Sequence, residues 1–84
     1  MGKQNLRKIL GYNVKYYRYM IGYTQEQLAE KTDLSPRYIS DIENGKGNIA
    51  LDNIGVLADV LRVEAYLLLQ KQEPKKLPKR VNMQ

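Results

Sequence analysis

The chain has 84 residues and a formal charge of +5, with no cysteine, histidine or tryptophan. That length supports one small domain, and without a disulfide it must be held by compact helix packing. The absence of Cys and His removes the usual zinc ligands, thiol nucleophiles and imidazole bases, so an enzyme is a poor expectation and no metal or cofactor is called for.

In chain order the pattern predicts five short helices and a tail, an all-α fold. The first helix runs from about Leu6 to Ile21, with Asn5 as N-cap and Gly22 as the stop. Its apolar residues Leu6, Leu10, Val14, Tyr17 and Ile21 form one stripe at steps of three or four. Gly11 in mid-helix costs roughly 1 kcal/mol relative to Ala, so something is expected to approach closely there. Thr24-Gln25-Glu26-Gln27 is a capping box that opens a second helix reaching about Thr32. Ser35-Pro36 opens a third, with Ile39 and Ile42 facing inward and Asn44-Gly45 ending it.

A fourth helix follows the loop Lys46-Gly47-Asn48-Ile49 and carries Leu51, Ile54, Leu57, Ala58 and Leu61 on one face. A fifth, from about Glu64 to Gln70, completes a domain over residues 1–70. Residues 71–84 turn to lysine, proline and polar types and read as a flexible basic tail. The longest purely aliphatic run, Leu67-Leu68-Leu69, is too short to cross a bilayer, and no signal peptide is evident. A soluble cytoplasmic protein is expected.

The charge is unevenly spread. Lys3, Arg7, Lys8, Lys15 and Arg18 fall in residues 1–18 without a single acid, while Glu26, Glu30, Asp33, Asp41 and Glu43 outnumber the bases of residues 19–47. The last segment is basic again, through Lys71, Lys75, Lys76, Lys79 and Arg80 against Glu73. With Tyr17 at zero on a helical wheel, Arg7, Arg18, Gly11, Lys15 and Lys8 fall between about 80° and 180°. This stripe reads either as a solvated face or as a phosphate-contacting one, with Gly11 as a gap where phosphate approaches. Tyr12, Tyr16 and Tyr19, at about 200–260°, read as a stacking platform for single-stranded nucleic acid or, in preference, as a cover for the flank of the first helix or a hydroxyl donor to phosphate.

Two short helices joined by a tight turn, the second capped by Ser35-Pro36, make a helix-turn-helix. In such a unit the second helix lays its N-terminal residues into the major groove of DNA. Arg37 near that end can take guanine O6 and N7 together, and Asp41 one turn on either orients it or accepts from cytosine. The chain resembles the lambda-repressor/Cro-like (Xre-type) helix-turn-helix regulators from Gly11 to about Leu69. The resemblance is carried by Gly11 through Arg18, Gly22 through Ala29, Leu34 through Gly45, and Leu51 through Val63. Its length and Arg37-Tyr38-Ile39-Ser40 element also resemble the controller proteins of restriction–modification operons.

That resemblance implies a compact five-helix DNA-binding domain that regulates transcription, and residue roles to match. Ser35, Pro36, Arg37 and Asp41 fall at base-facing positions, with Tyr38 and Ser40 at the groove edge. Gln25, Asn44 and Lys46 fall at phosphate positions, and Arg18 and Glu43 match an ion pair from the first helix to the end of the third. Lys15, from the basic stripe, and Thr24 are added to the expected phosphate contacts independently of the resemblance. Pro36 stands where a base-reading glutamine is common, Ile49 where proline is usual, and Ala50 where a capping Ser or Thr is common.

Val56 and Val60 lie opposite the buried face of the fourth helix, and Tyr66, Leu67 and Leu69 exceed what one small core absorbs. Scattered surface hydrophobes would account for them, but the favoured reading is a self-complementary patch for a homodimer on a palindromic operator. The alternative is a protein-interaction module, such as an antitoxin or adapter, using Val56, Val60, Leu67 and Leu69 against a partner such as a toxin or RNA polymerase. The basic tail reads as a solubilising segment, a DNA arm or a membrane-surface patch, the last lacking the second signal that stable anchoring needs.

Overall fold

A computed structural model describes residues 5–72. Five helices follow one another: α1 (Leu6–Ile21), α2 (Gln25–Thr32), α3 (Pro36–Glu43), α4 (Leu51–Leu61) and α5 (Ala65–Leu68). No strand occurs among the described residues.

The helix ends have chemical causes. Asn5 accepts from the Lys8 amide and starts α1, while Gly22, at φ +87°, ends it in the left-handed conformation. Thr24 and Gln27 exchange side-chain-to-backbone bonds at the start of α2, as the box requires. The Ser35 hydroxyl accepts from the Tyr38 amide, and Pro36 occupies the first turn of α3, where its missing N–H costs nothing. At the other end of α3, Gly45 rather than Asn44 takes the positive φ. Asp33 and Arg62 close α2 and α4 in the left-handed region, at φ +61° and +64°, without being glycine. Ala50 precedes α4 without a side-chain cap.

The core draws on every helix: Leu10 and Val14 from α1, Leu28 and Ala29 from α2, Ile39 and Ile42 from α3, four residues from α4, and Leu68 from α5. The third helix lies against both α1 and α2, and α4 packs on α1, α2 and α5. Two expected core members are outside it. Leu6 is exposed in the first turn of α1, and Leu51, 78% exposed, opens α4. Each sits on the correct angular face but in the first turn of its helix, where no neighbouring helix covers it. The fifth helix is also shorter than expected, four residues rather than the span Glu64–Gln70.

One buried polar residue organises the end of the domain. Asn13, on the core side of α1, donates to the Leu68 carbonyl at 2.8 Å and to the Gln70 carbonyl at 3.0 Å. Its own oxygen accepts from Gln72 Nε2 at 2.8 Å. The contact with α1 therefore extends two residues past the expected domain edge at residue 70. The basic run Lys75 to Arg80 lies outside the described residues.

Candidate nucleic-acid interface

The turn from Asp33 to Ser35 joins α2 to α3, and the fixed caps on both sides set the angle between the two helices. Burial of Ile39 and Ile42 then determines which side of α3 faces out. Arg37 projects there with its side chain 87% exposed, and its Nε lies 3.6 Å from Asp41 Oδ1 one turn later. The contact is long and exposed, so it biases the direction of the guanidinium and adds little stability. Ser35 and Pro36 are exposed beside it, with Ser40 half-buried.

Tyr38 takes a different place from its expected companions. Its ring rests against the core, and its phenolic oxygen accepts from Asn53 Nδ2 on α4 at 3.1 Å. The side chain thus bridges α3 and α4, and the phenol keeps its own proton for a further acceptor. This tether was not evident in the sequence, because Tyr38 and Asn53 are brought together only by packing of α4.

The expected ion pair is present and buried. Arg18 Nε and Glu43 Oε2 are 2.6 Å apart, with side chains 5% and 2% exposed. Arg18 Nη2 donates to Glu43 Oε1 at 2.9 Å, and Nη1 to the Tyr23 carbonyl at 2.9 Å. Gln25 Nε2 donates to the same Glu43 oxygen at 3.0 Å. Glu43 therefore gathers α1, the entry to α2 and the end of α3 at one point. Gln25, expected on phosphate, has one of its amide hydrogens committed here; its other hydrogen and the unpaired first-turn amides of α2 remain for an anion.

The basic stripe of α1 is divided by what packs on it. A Cβ on Gly11 would stand 2.4 Å from the Ile42 carbonyl oxygen and 2.9 Å from that of Glu43. The close approach is therefore made by the end of α3, and the expected phosphate gap at Gly11 is filled. Arg7 turns to the loop between α3 and α4, donating to the Gly47 carbonyl and to Asn48 Oδ1. Lys15 stays half-exposed with its ammonium 5.9 Å from the Tyr19 ring, and Tyr12 stacks on Tyr16 at 6.2 Å. The tyrosines thus cover the flank of α1, as expected. Asn44 and Lys46 are exposed at the end of α3, the Lys46 amide fixed on the Asp41 carbonyl at 2.9 Å.

The helices α4 and α5 also expose apolar surface. Val56 and Leu69 are both more than a third exposed, and Leu51 and Tyr66 more so. Val60 and Leu67 are half-buried, Val60 resting partly on the core. No helix among the described residues is long and apolar enough to cross a membrane.

Comparison with known proteins agrees with this arrangement. Residues 14–68 match the family model described as helix-turn-helix. A hypothetical transcription factor of Neisseria meningitidis is 45% identical over 76 residues, covering 89% of this chain and 72% of that protein. The restriction–modification controller protein C.AhdI from Aeromonas hydrophila superposes with a TM-score of 0.71 at 32% identity, over 74% of this chain and 94% of that one. SinR, a master regulator for biofilm formation solved in complex with DNA, superposes with a TM-score of 0.68 at 34% identity, over 73% of this chain and 98% of the other. These relatives are regulators and not enzymes. The chain belongs to the Xre-like helix-turn-helix family of DNA-binding transcription regulators, in the lambda-repressor-like fold.

Proposed function

We propose that this regulator binds double-stranded DNA sequence-specifically, with α3 in the major groove, as a homodimer on a palindromic operator. The observation that carries this reading is Arg37, displayed on the outer side of a capped helix and oriented by Asp41. A guanidinium fork in that position matches guanine O6 and N7. Ser35, Ser40 and Asp41 complete the base-facing set, with Tyr38 at its edge. Lys15, Thr24, Gln25, Asn44 and Lys46 supply phosphate contacts that hold the register. Val56, Val60, Leu67 and Leu69 form the surface on which two copies meet, placing two recognition helices about 34–36 Å apart on successive major grooves.

Selection from a random duplex library with the purified protein is expected to enrich an inverted repeat. Arg37→Ala should then lose roughly 1–3 kcal/mol of discrimination at one or two base pairs per half-site, while Lys15→Ala weakens binding to all sequences alike. If Arg37→Ala keeps its full preference for the selected operator, the groove assignment is wrong. Selection that enriches no sequence, together with a stoichiometric protein partner recovered from the host, would favour the interaction-module reading instead.

A further inference from the structure

The loop between α3 and α4 combines two glycines at φ +72°, Gly45 and Gly47, with the cation Lys46 between them. Such a segment has wide conformational freedom unless something fixes it. Only part of it is fixed from within. The Gly45 amide reaches the Ile42 carbonyl and the Lys46 amide the Asp41 carbonyl, both closing α3. Beyond Lys46, Ile49 packs against the core, and the stretch between them, Gly47 and Asn48, is held from α1. Arg7 donates through Nε to the Gly47 carbonyl and through Nη2 to Asn48 Oδ1, across 40 and 41 residues of sequence. Gly45 meanwhile lies along the first turn of α1, where a Cβ would come 3.6 Å from the Lys8 Cα.

We infer that Arg7 is a positioning residue for the DNA-contacting loop, acting on affinity through loop order and not as a phosphate ligand. This rests on the reading that Asn44 and Lys46 meet phosphate. The guanidinium fits the task because it is planar and forked, so one side chain spans two acceptors in fixed geometry. A lysine carries the same charge but cannot span both from one plane. Among the described residues no acid forms an ion pair with Arg7, Lys8 or Lys46, and the bonds of Arg7 are to neutral oxygens of the loop. Holding Gly47 and Asn48 in advance removes an ordering cost that would otherwise be met when DNA binds.

The test measures binding of the full chain to a labelled mixed-sequence duplex and to the selected operator. Arg7→Lys and Arg7→Ala are both expected to weaken binding to both probes by about tenfold, the equivalent of ordering one residue's backbone. Asn48→Ala, which changes no charge, should weaken both in the same direction and add little on top of Arg7→Lys. In the free protein, the amide resonances of Gly47 and Asn48 should shift and exchange faster in both Arg7 variants, while the core amides of Leu28 and Leu57 stay protected. Wild-type affinity in Arg7→Lys with a loss in Arg7→Ala would overturn the inference in favour of a simple charge contact. Lys46→Ala is the control for the underlying reading. If it binds as tightly as wild type, the loop is not at the DNA at all, and the fault lies in the interface rather than in Arg7.

Discussion

Glu43 is where the domain concentrates its polar energy. Its carboxylate takes two bonds from Arg18 and one from Gln25 within a nearly closed environment. Desolvating such a pair is expensive, so the pair orients helices more than it adds stability, whereas removing one member strands the other. Glu43→Ala is therefore expected to cost about 3–5 kcal/mol, read as a lowered urea midpoint. The double variant Arg18→Met with Glu43→Leu should recover much of that loss in stability while binding DNA less well, because the end of α3 loses its anchor to α1. Equal stability losses in the single and double variants would contradict this account. Asn13 is the contrasting case. It lies at about 320° on the α1 wheel, at the edge of the apolar stripe, and nothing in the sequence alone assigns it a role. Which partner it finds, the backbone at Leu68 and Gln70, depends on the placement of α5.

Elements whose ends carry distinctive chemistry were legible in the sequence; those closed by ordinary residues were less so. The bounds of α1, α2 and α3 follow from Asn5 and Gly22, from the Thr24–Gln27 box and from Ser35-Pro36, and the structure places them there. By contrast α4 closes on Arg62 and α5 has no side-chain cap, so neither end is marked locally. Periodicity placed Leu6 and Leu51 on the right face without showing that their turns reach beyond the neighbouring helices. Gly11 is intermediate: its cost in a helix signalled a close approach, and only packing shows that the approaching group is the backbone of α3. Gly11→Ala is expected to destabilise by roughly 1–3 kcal/mol, despite the better helix propensity of alanine, because backbone carbonyls cannot step aside as a side chain would. Arg62→Gly should have the opposite sign, gaining about 0.5–1 kcal/mol by relieving a left-handed side-chain-bearing residue. Thermal unfolding of the two variants checks both signs.

For the whole molecule, the net charge of +5 conceals a body close to neutrality and two basic ends. On the proposed reading, grip on DNA comes from local placement of cations and helix ends, and sequence choice from the geometry of α3. Assembly is the property of this scale to which the proposal assigns the apolar surface of α4 and α5. If the chain forms the proposed dimer, Val56→Glu is expected to convert it to a monomer in sedimentation and to weaken operator binding far more than binding to a half-site, with little change in fold since Val56 is already partly exposed. A wild-type chain that sediments as a monomer at tens of micromolar, alone and on operator, would remove the dimer. The role of the basic segment is best isolated by ending the chain after Gln72 and not after Gln70, so that the contact to Asn13 is kept.

The Asn13 clamp also bears on how the domain is made. A ribosome delivers the chain from its N-terminus, so α1 emerges early with an amide destined for burial and no acceptor yet in existence. Its acceptors are the carbonyls of residues 68 and 70. Until these are synthesised, the segment packed against Asn13 is missing as well, so its amide stays with water and α1 lacks the clamp. A nascent chain halted before residue 68 is thus expected to leave this side of α1 open, and the fold closes there only when the residues that complete α5 arrive.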